Sequence, residues 1–319
     1  MIKKYIVIGA GISGLNTARK IKDLNLGSVQ VLEKSRGVGG RMATRRAHDT
    51  RFDHGAQFYR LKNDIVDLHQ DWKQLGICHQ WFISEKGDHW CSKSGMTAFA
   101  KAMTKDLDIS LEKEIAAIHY ENNLWKLISN KNEVWFCHNL IISSPTPQTV
   151  KLLTDAANEK RLDMNVLSEI KKINYTKALI GLVTLEEDLM IAANGYIEFQ
   201  TGCFFSISDQ RKKGVSDIPA LTITMSASFS ELEFEQSDEF ILEKILKLFV
   251  TDYPQAKIKK AELKKWRYCK SESQFKNLFS EIAPKLYLIG DAFGGSSLLG
   301  ALRSSQALCN FLIENNKVL

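Results

Sequence analysis

Gly9, Gly11 and Gly14 stand in the stretch "IVIGAGISGLNTARK" with the spacing G-x-G-x-x-G. The chemistry this spacing can do is anion binding by bare backbone. Gly9 permits a tight turn out of a strand, Gly11 lets a phosphate approach the main chain, and Gly14 lets the following helix lie close to the strand. The helix start at Ile12 and Ser13 adds unpaired N–H groups and a partial positive charge. Glu33 follows a second apolar run, where an acid can hold ribose hydroxyls and repel a 2′-phosphate. That disfavours NADP as the tightly held dinucleotide. The loop by itself serves nicotinamide and flavin dinucleotides alike.

Such a loop works only inside a β-α-β unit. Residues 5–8 read as a buried parallel strand. Ile12, Leu15, Ala18, Ile21 and Leu24 recur at helical spacing, and residues 29–32 read as a second strand. Residues 34–60, rich in glycine and arginine, read as a long functional loop outside the core. A helix is expected over 64–75, and another from Ser94-Gly95-Met96 with Phe99, Ala100 and Met103 inward. Residues 113–142 read as a β meander through "EVWFCHNLIIS", with turns at Asn122-Asn123 and at Asn130-Lys131-Asn132. "SSPTPQTVKLLTDA" reads as a helix with Thr146 as N-cap and Pro147 in first position. Residues 150–280 read as an antiparallel sheet with helices. One helix, at 238–250, is expected to turn Phe240, Ile241, Ile245, Leu248 and Phe249 to one side. The end returns to strand, glycine turn and helix in "KLYLIGDAFGGSSLLGALRSSQALCNFLIE". The fold class is therefore α/β, a Rossmann-type domain with an antiparallel-sheet domain.

Bulk properties exclude other classes. The 319 residues are 44% hydrophobic and 25% charged, with a net charge of +6, as in ordinary globular proteins. The basic stretches "QRKKG" and "KIKKAELKKWR" read as solvated strand ends, too short to argue for nucleic acid, and no nucleic-acid partner is expected. No run reaches the ~18 apolar residues of a membrane span. The six cysteines show no C-x-x-C spacing, and neither they nor the seven histidines cluster as metal ligands. Free thiols, no metal and a cytoplasmic location are expected.

Three more stretches carry chemistry. In "GVGGRMATRR", Gly39-Gly40 allows tight backbone geometry and Arg41 offers a permanent cation for a pyrophosphate. In "RFDHGAQFY", Gly55 and Ala56 are small enough for a planar ring to lie on the backbone, with Gln57 and Phe58 at its edge and face. In "LIGDAFGGSSLLGA", Asp291 can accept from ribityl or ribose hydroxyls. The amides of Leu299, Gly300 and Ala301 start a second helix, whose N-terminus favours a ring that gains negative charge on reduction. A second cradle so far along the chain suits an extended FAD.

Together with "SGMTAFAKAM", "KKWRYC" and "LIGDAFGGSSLLGALRSS", these motifs resemble the renalase-like flavoproteins of the amine oxidase superfamily over nearly the whole chain. The resemblance implies a p-hydroxybenzoate hydroxylase-type fold. Residues 1–60, 100–150 and 284–319 would bind FAD, and 61–99 with 151–283 would hold substrate. It implies that Gly11, Ser13 and Gly14 meet the pyrophosphate, Glu33 the ribose and Arg41 the phosphates, with Gly9 in the same cofactor site. Ala117 and Ile118 would meet the adenine. Gly55, Ala56, Gln57 and Phe58 would line the flavin opposite Asp291, Leu299, Gly300 and Ala301. Ile12, Lys34, Gly40 and Met42 are expected in the same site. Some relatives attach FAD through a cysteine near the last motif. Here Phe293-Gly294-Gly295 occupies that stretch, so FAD is expected to be non-covalent. The implied chemistry is oxidation of 2- and 6-dihydro isomers of NAD(P)H, with O2 as acceptor. No catalytic residue is firm. Trp266, Arg267, Tyr268 and Tyr175 are the candidates to stack on such a small-molecule substrate, with Arg267 for its phosphates. The alternatives are an amine oxidase of the same superfamily and a flavin-binding protein without turnover.

Overall fold

Tyr5, Ile6 and Val7 are buried on both sides, so they form an interior parallel strand rather than an alternating one. In the computed structural model, which describes residues 3–154 and 161–317, strand Lys4–Ile8 runs parallel to Ser28–Leu32 and to Asn139–Ile142. Asp108–Ser110 extends this sheet beyond Ser28–Leu32, and Leu286–Leu288 extends it beyond Asn139–Ile142. Ser280–Ala283 closes one edge in antiparallel sense.

The chain forms two compact units. The first comprises Met1–Gly40, Ala100–Asn174 and Lys270–Leu319, and the second Arg41–Phe99 and Tyr175–Cys269. By compactness, residues 41–60 go with the second unit and 151–174 and 270–283 with the first.

Two expectations in the first unit are corrected. "EVWFCHNLIIS" is not one strand of a meander. Val134–Cys137 pairs antiparallel with Leu124–Ser129, whereas Asn139–Ile142 joins the parallel sheet. His138 makes the switch: its N–H donates to Lys4 O (2.9 Å), and its Nδ1 accepts from Lys4 N (3.0 Å). The N-cap of helix Thr146–Leu153 is Pro145, not Thr146. Gln148 and Thr149 N–H both reach Pro145 O, while the buried Thr146 hydroxyl donates to Ile173 O. The expected end of that helix, Asp155-Ala156, lies outside the described residues. The turn at Asn122-Asn123 has both residues at positive φ (50° and 64°), the geometry of a tight two-residue hairpin.

The second unit centres on a five-stranded sheet. Its order is Tyr196–Glu198, Phe204–Asp209, Ala220–Met225, Tyr175–Leu185 and Ile258–Ser271. One face buries Leu179, Val183 and Ile223 against Ile241, Ile245 and Phe249 of helix Asp238–Asp252. Phe240 is not inward as expected: it is 50% exposed, because the i, i+4 row 241–245–249 takes the buried face. The other face, with Ala178, Ile180, Leu182 and Ala220, packs on Phe52. Phe52 belongs to a hairpin, Thr44–Ala47 with Thr50–Asp53, where a loop outside the core was expected. Its turn uses His48 and Asp49, both at positive φ.

Candidate functional site

The glycine loop of the first unit contains two kinds of glycine. Gly9 (φ +104°) donates its N–H to Leu32 O at 2.9 Å, and a Cβ on it would sit 2.6 Å from Ser143 Oγ. A Cβ on Gly14 would lie 2.2 Å from Gly9 O. The fold itself therefore requires both. Ser143, whose Oγ donates to Ile8 O (2.9 Å), is the wedge beneath them. Sequence reasoning passed over it, because "ISSP" carries no motif.

Gly11 is different. It is the N-cap of helix Ile12–Asp23 with φ −73° and ψ 172°, angles open to any residue. A Cβ there would meet nothing within 4 Å. Among the described residues no atom requires this glycine. Beside it, Ser13 is buried and its Oγ has no hydrogen-bond partner. Leu15 N is the first amide to bond back, to Gly11 O, so the N–H groups of Ile12, Ser13 and Gly14 have no partner within the helix. The helix has no side-chain cap and no acid in its first turn. A backbone cradle with room for a Cβ, a buried hydroxyl without a hydrogen-bond partner and three N–H groups unpaired within the helix fit an anionic oxygen.

Glu33 is buried at this loop, with both carboxylate oxygens engaged. Oε2 accepts from Ala10 N (2.7 Å) and Oε1 from Ser35 N (2.8 Å). It braces the glycine loop, and its remaining lone pairs can still accept from hydroxyls. Lys34 beside it is exposed. Gly39 returns the chain to the loop, donating to Ala10 O (2.9 Å) and forming a parallel bridge with Gly11. Gly40 is exposed next to Gly11. Ala117 and Ile118 lie on strand Ile115–Glu121, Ala117 half-buried and Ile118 fully buried.

The second glycine cluster packs chain against chain. A Cβ on Gly294 or on Gly300 would come within 1.8 Å of a carbonyl oxygen of Gly300 or Gly295. Asp291 is buried at the start of Asp291–Gly294. The three expected amides are not equivalent. Ser297 Oγ accepts from Gly300 N (3.0 Å) and Ser297 O from Ala301 N (3.0 Å), so Ser297 caps the helix and satisfies two of them. Of the three, Leu299 N keeps no partner within the helix. The final helix, Leu298–Lys317, is tied to the glycine-loop helix by Asn16 Nδ2 and Thr17 Oγ1, which reach Ser305 Oγ at 2.9 and 2.7 Å.

In the second unit Arg41 donates from Nη1 to Cys269 O (3.1 Å), and its guanidinium lies 5.8 Å from the Tyr175 ring centre. Tyr175 meets Tyr268 edge to face at 5.9 Å. Met42 is buried. Gly55 has a reason of its own to be small: a Cβ there would fall 1.9 Å from Arg41 O, which also accepts from Ala56 N. Gln57 is turned inward. Its Nε2 donates to Asp53 O and Gly55 O, and its Oε1 accepts from Gln210 and Lys213. Phe58 stands in an aromatic cluster with Trp81, Phe82, His89 and Tyr196.

Lys213 overturns the reading of "QRKKG" as a solvated strand end. Arg211 is exposed on Asp188, but Lys213 is 0% exposed, and its Nζ pairs with Asp53 Oδ2 at 2.7 Å, also 0% exposed. Asp53 Oδ1 accepts from Thr44 Oγ1 (2.6 Å) and Met96 N (2.8 Å). His54 is held neutral, its pKa lowered to about 4 by burial and then by the Lys264 and Arg45 charges. Its ring stacks on Trp266 at 5.4 Å, and Trp266 Nε1 donates to His54 O. Arg267 is not brought to Trp266. It is exposed, pairs with Glu235 (3.1 Å) and lies over Phe234.

The family described as NAD(P)-binding Rossmann-like domain matches residues 7–72. A 1-hydroxycarotenoid 3,4-desaturase of Flavobacterium sp. is 29% identical over 137 residues, which are 41% of this chain and 28% of that protein. The match thus spans under a third of the desaturase. Among solved structures, a provisionally assigned protoporphyrinogen oxidase of an Exiguobacterium species aligns over 98% of this chain and 99% of its own. The TM-score is 0.74 and the identity 12%. A putrescine oxidase variant redesigned in cofactor binding aligns over 98% and 99%, with a TM-score of 0.77 and 12% identity. The match at residues 7–72 coincides with the start of the Rossmann-like parallel sheet, and the mixed parallel and antiparallel fold is shared end to end with these two solved proteins.

Proposed function

We propose that the chain is a flavin-dependent oxidoreductase of the renalase-like type. It holds FAD without a covalent bond and oxidises a reduced nicotinamide-type small molecule, with O2 as final acceptor and H2O2 as product. The observation that carries this reading is Gly11, a glycine that no atom of the described residues requires, beside the orphan Ser13 hydroxyl. There Gly11, Ser13 and the helix N–H groups hold the pyrophosphate, while Glu33 fixes the loop and accepts from the ribose. The buried Asp291 and the helix start at Leu299 serve the far end of the same extended cofactor. When bound, FAD would supply the hydride-accepting chemistry, with O2 as the final electron acceptor. The assignment of Lys34, Gly40, Arg41, Met42, Ala117, Ile118 and the Gly55, Ala56, Gln57, Phe58 run to the cofactor rests on the sequence resemblance. The desaturase and oxidase likenesses support redox chemistry. No catalytic base is assigned among the described residues, and a dihydronicotinamide needs none, since it is already a hydride donor that has only to be positioned.

The test is optical. The purified protein should be yellow, and acid should release free FAD. Mixed anaerobically with borohydride-treated NAD, it should bleach rapidly with the minor dihydro isomers, and not with ordinary NADH or with amines. A protein that cannot be loaded with FAD refutes the reading, and bleaching by amines alone replaces it with amine oxidation.

A further inference from the structure

Residues 53–57 make a turn whose middle is open and whose ends are buried. Gly55 and Ala56 are half-buried, while Asp53, His54 and Gln57 lie in the interior. The Gln57 side chain has four hydrogen-bonding capacities, two N–H donors and two acceptor lone pairs. All four are spent on the protein. Nε2 donates to Asp53 O at 2.7 Å and to Gly55 O at 3.2 Å. Oε1 accepts from Gln210 Nε2 at 3.1 Å and from Lys213 Nζ at 3.2 Å. Lys213 also fixes which way the amide faces. A flipped group would set its NH2 against the ammonium and its oxygen against two carbonyls.

The bonds close into a ring. Asp53 N donates to Gln210 Oε1 (3.1 Å), Gln210 Nε2 donates to Gln57 Oε1, and Gln57 Nε2 returns to Asp53 O. Thr222 Oγ1 donates to the same Asp53 carbonyl at 2.9 Å, and Trp266 Nε1 holds the next one, His54 O, at 2.8 Å. Ala56 N–H is tied to Arg41 O at 2.9 Å. Gln210, Lys213 and Thr222 are all buried. Buried ionic and polar groups add little stability over apolar packing, but a fully satisfied network fixes one backbone geometry. Here it fixes a turn whose open part is one glycine and one alanine.

We propose that Gln57 is a positioning residue, which with Gln210 and Lys213 holds the 53–57 turn as a rigid ledge and itself touches no ligand. That the ledge carries the flavin ring rests on the function proposed above; the network itself does not. The contact that the sequence suggested for the Gln57 side chain then falls to the backbone of Gly55 and Ala56. The side chain supports them from behind, as a binding surface held by packed and hydrogen-bonded neighbours requires.

The experiment compares wild type, Gln57→Met and Gln210→Met. Gln210 lies 153 positions from Gln57 and is fully buried, so it reaches a ligand on the ledge only through the turn. Residue-resolved amide exchange reads Ala56 N–H, with helix Asp238–Asp252 as the reference for global opening. Both variants should speed Ala56 exchange about tenfold while the helix stays unchanged, the effect of losing one or two hydrogen bonds. FAD affinity of the same proteins, by fluorescence titration, should fall severalfold in both. Unchanged Ala56 exchange, or unchanged FAD affinity, in both variants overturns the proposal. So does a loss of FAD affinity in Gln57→Met that Gln210→Met does not share, since that marks direct contact. A wild type that takes up no FAD refutes the flavin reading instead, and the exchange alone then decides whether the network holds the turn.

Discussion

Replacing Lys213 by methionine removes the cation from an ion pair in which neither side chain has any exposed surface. Methionine fills most of the same space, so packing changes little. The cost comes from Asp53, which keeps Thr44 Oγ1 and Met96 N as donors but loses its counter-charge. Gln57 Oε1 also loses one of its two donors. Stripping one partner from a buried pair costs about 3–5 kcal/mol. The two surviving donors to Asp53 place this case near the lower end, about 3 kcal/mol. Asp53→Asn should cost a similar amount by stranding the lysine. The double variant, Asp53→Asn with Lys213→Met, leaves no unpaired charge. It should be more stable than either single one, a favourable coupling of roughly 2 kcal/mol or more. Urea unfolding of the four proteins, followed by fluorescence, measures this cycle. A loss under about 1 kcal/mol for Lys213→Met, or a double variant as weak as the sum of the singles, would refute the buried pair.

Gly11→Ala should cost no more than about 1 kcal/mol of stability, the ordinary loss at an N-cap, since a Cβ meets nothing there, yet lower FAD retention severalfold in a gel-filtration assay. Gly14→Ala should cost more than about 2 kcal/mol, because its Cβ would strike Gly9 O; equal stability of the two variants contradicts the loop geometry. Glu33→Ala strips the acceptor from the buried Ala10 N and from Ser35 N, so it should lower stability by about 1–3 kcal/mol in urea unfolding and also weaken FAD binding, as read by dialysis against FAD. His54 has a folded pKa near 4 against 6.5 unfolded. Its contribution is therefore full above pH 6.5 and is lost as pH falls towards 4, up to about 3 kcal/mol. Stability curves of wild type and His54→Gln should converge in that window, and parallel curves would count against a buried neutral His54.

What was legible in the sequence was whatever depends on local pattern. The β-α-β unit shows because Tyr5, Ile6, Val7 and the helical row after Gly14 repeat with clean periods. The hairpin at 44–53 did not show. Its strands are short, Arg45, Arg46 and Arg51 mask its single buried apolar residue, Phe52, and His48-Asp49 is not a familiar turn pair. Asp108–Ser110 was invisible for the same reason, being three residues of mixed polarity. Lys213 was misread because charge in a sequence says nothing about a partner 160 positions away at Asp53. The site was legible where backbone chemistry demands one residue type, as at Gly9 and Gly14. It was not legible where long-range packing assigns the job, as with Ser143 under the loop or Ser297 capping the last helix.

The hydrogen bonds from Asn16 and Thr17 to Ser305 bear on how the molecule comes into being on the ribosome. The glycine loop emerges well before its partners, since its helix is held by residues translated almost 300 positions later. Strands Asn139–Ile142 and Leu286–Leu288 join its sheet in the same late order. The second unit, complete once Cys269 has been made, can settle before its neighbour has a finished sheet. The nascent loop therefore waits, with its unpaired N–H groups solvated, through most of synthesis. Under the proposed function, cofactor capture would follow the joining of these late strands, and a dinucleotide bound then would stabilise the unit that folds last.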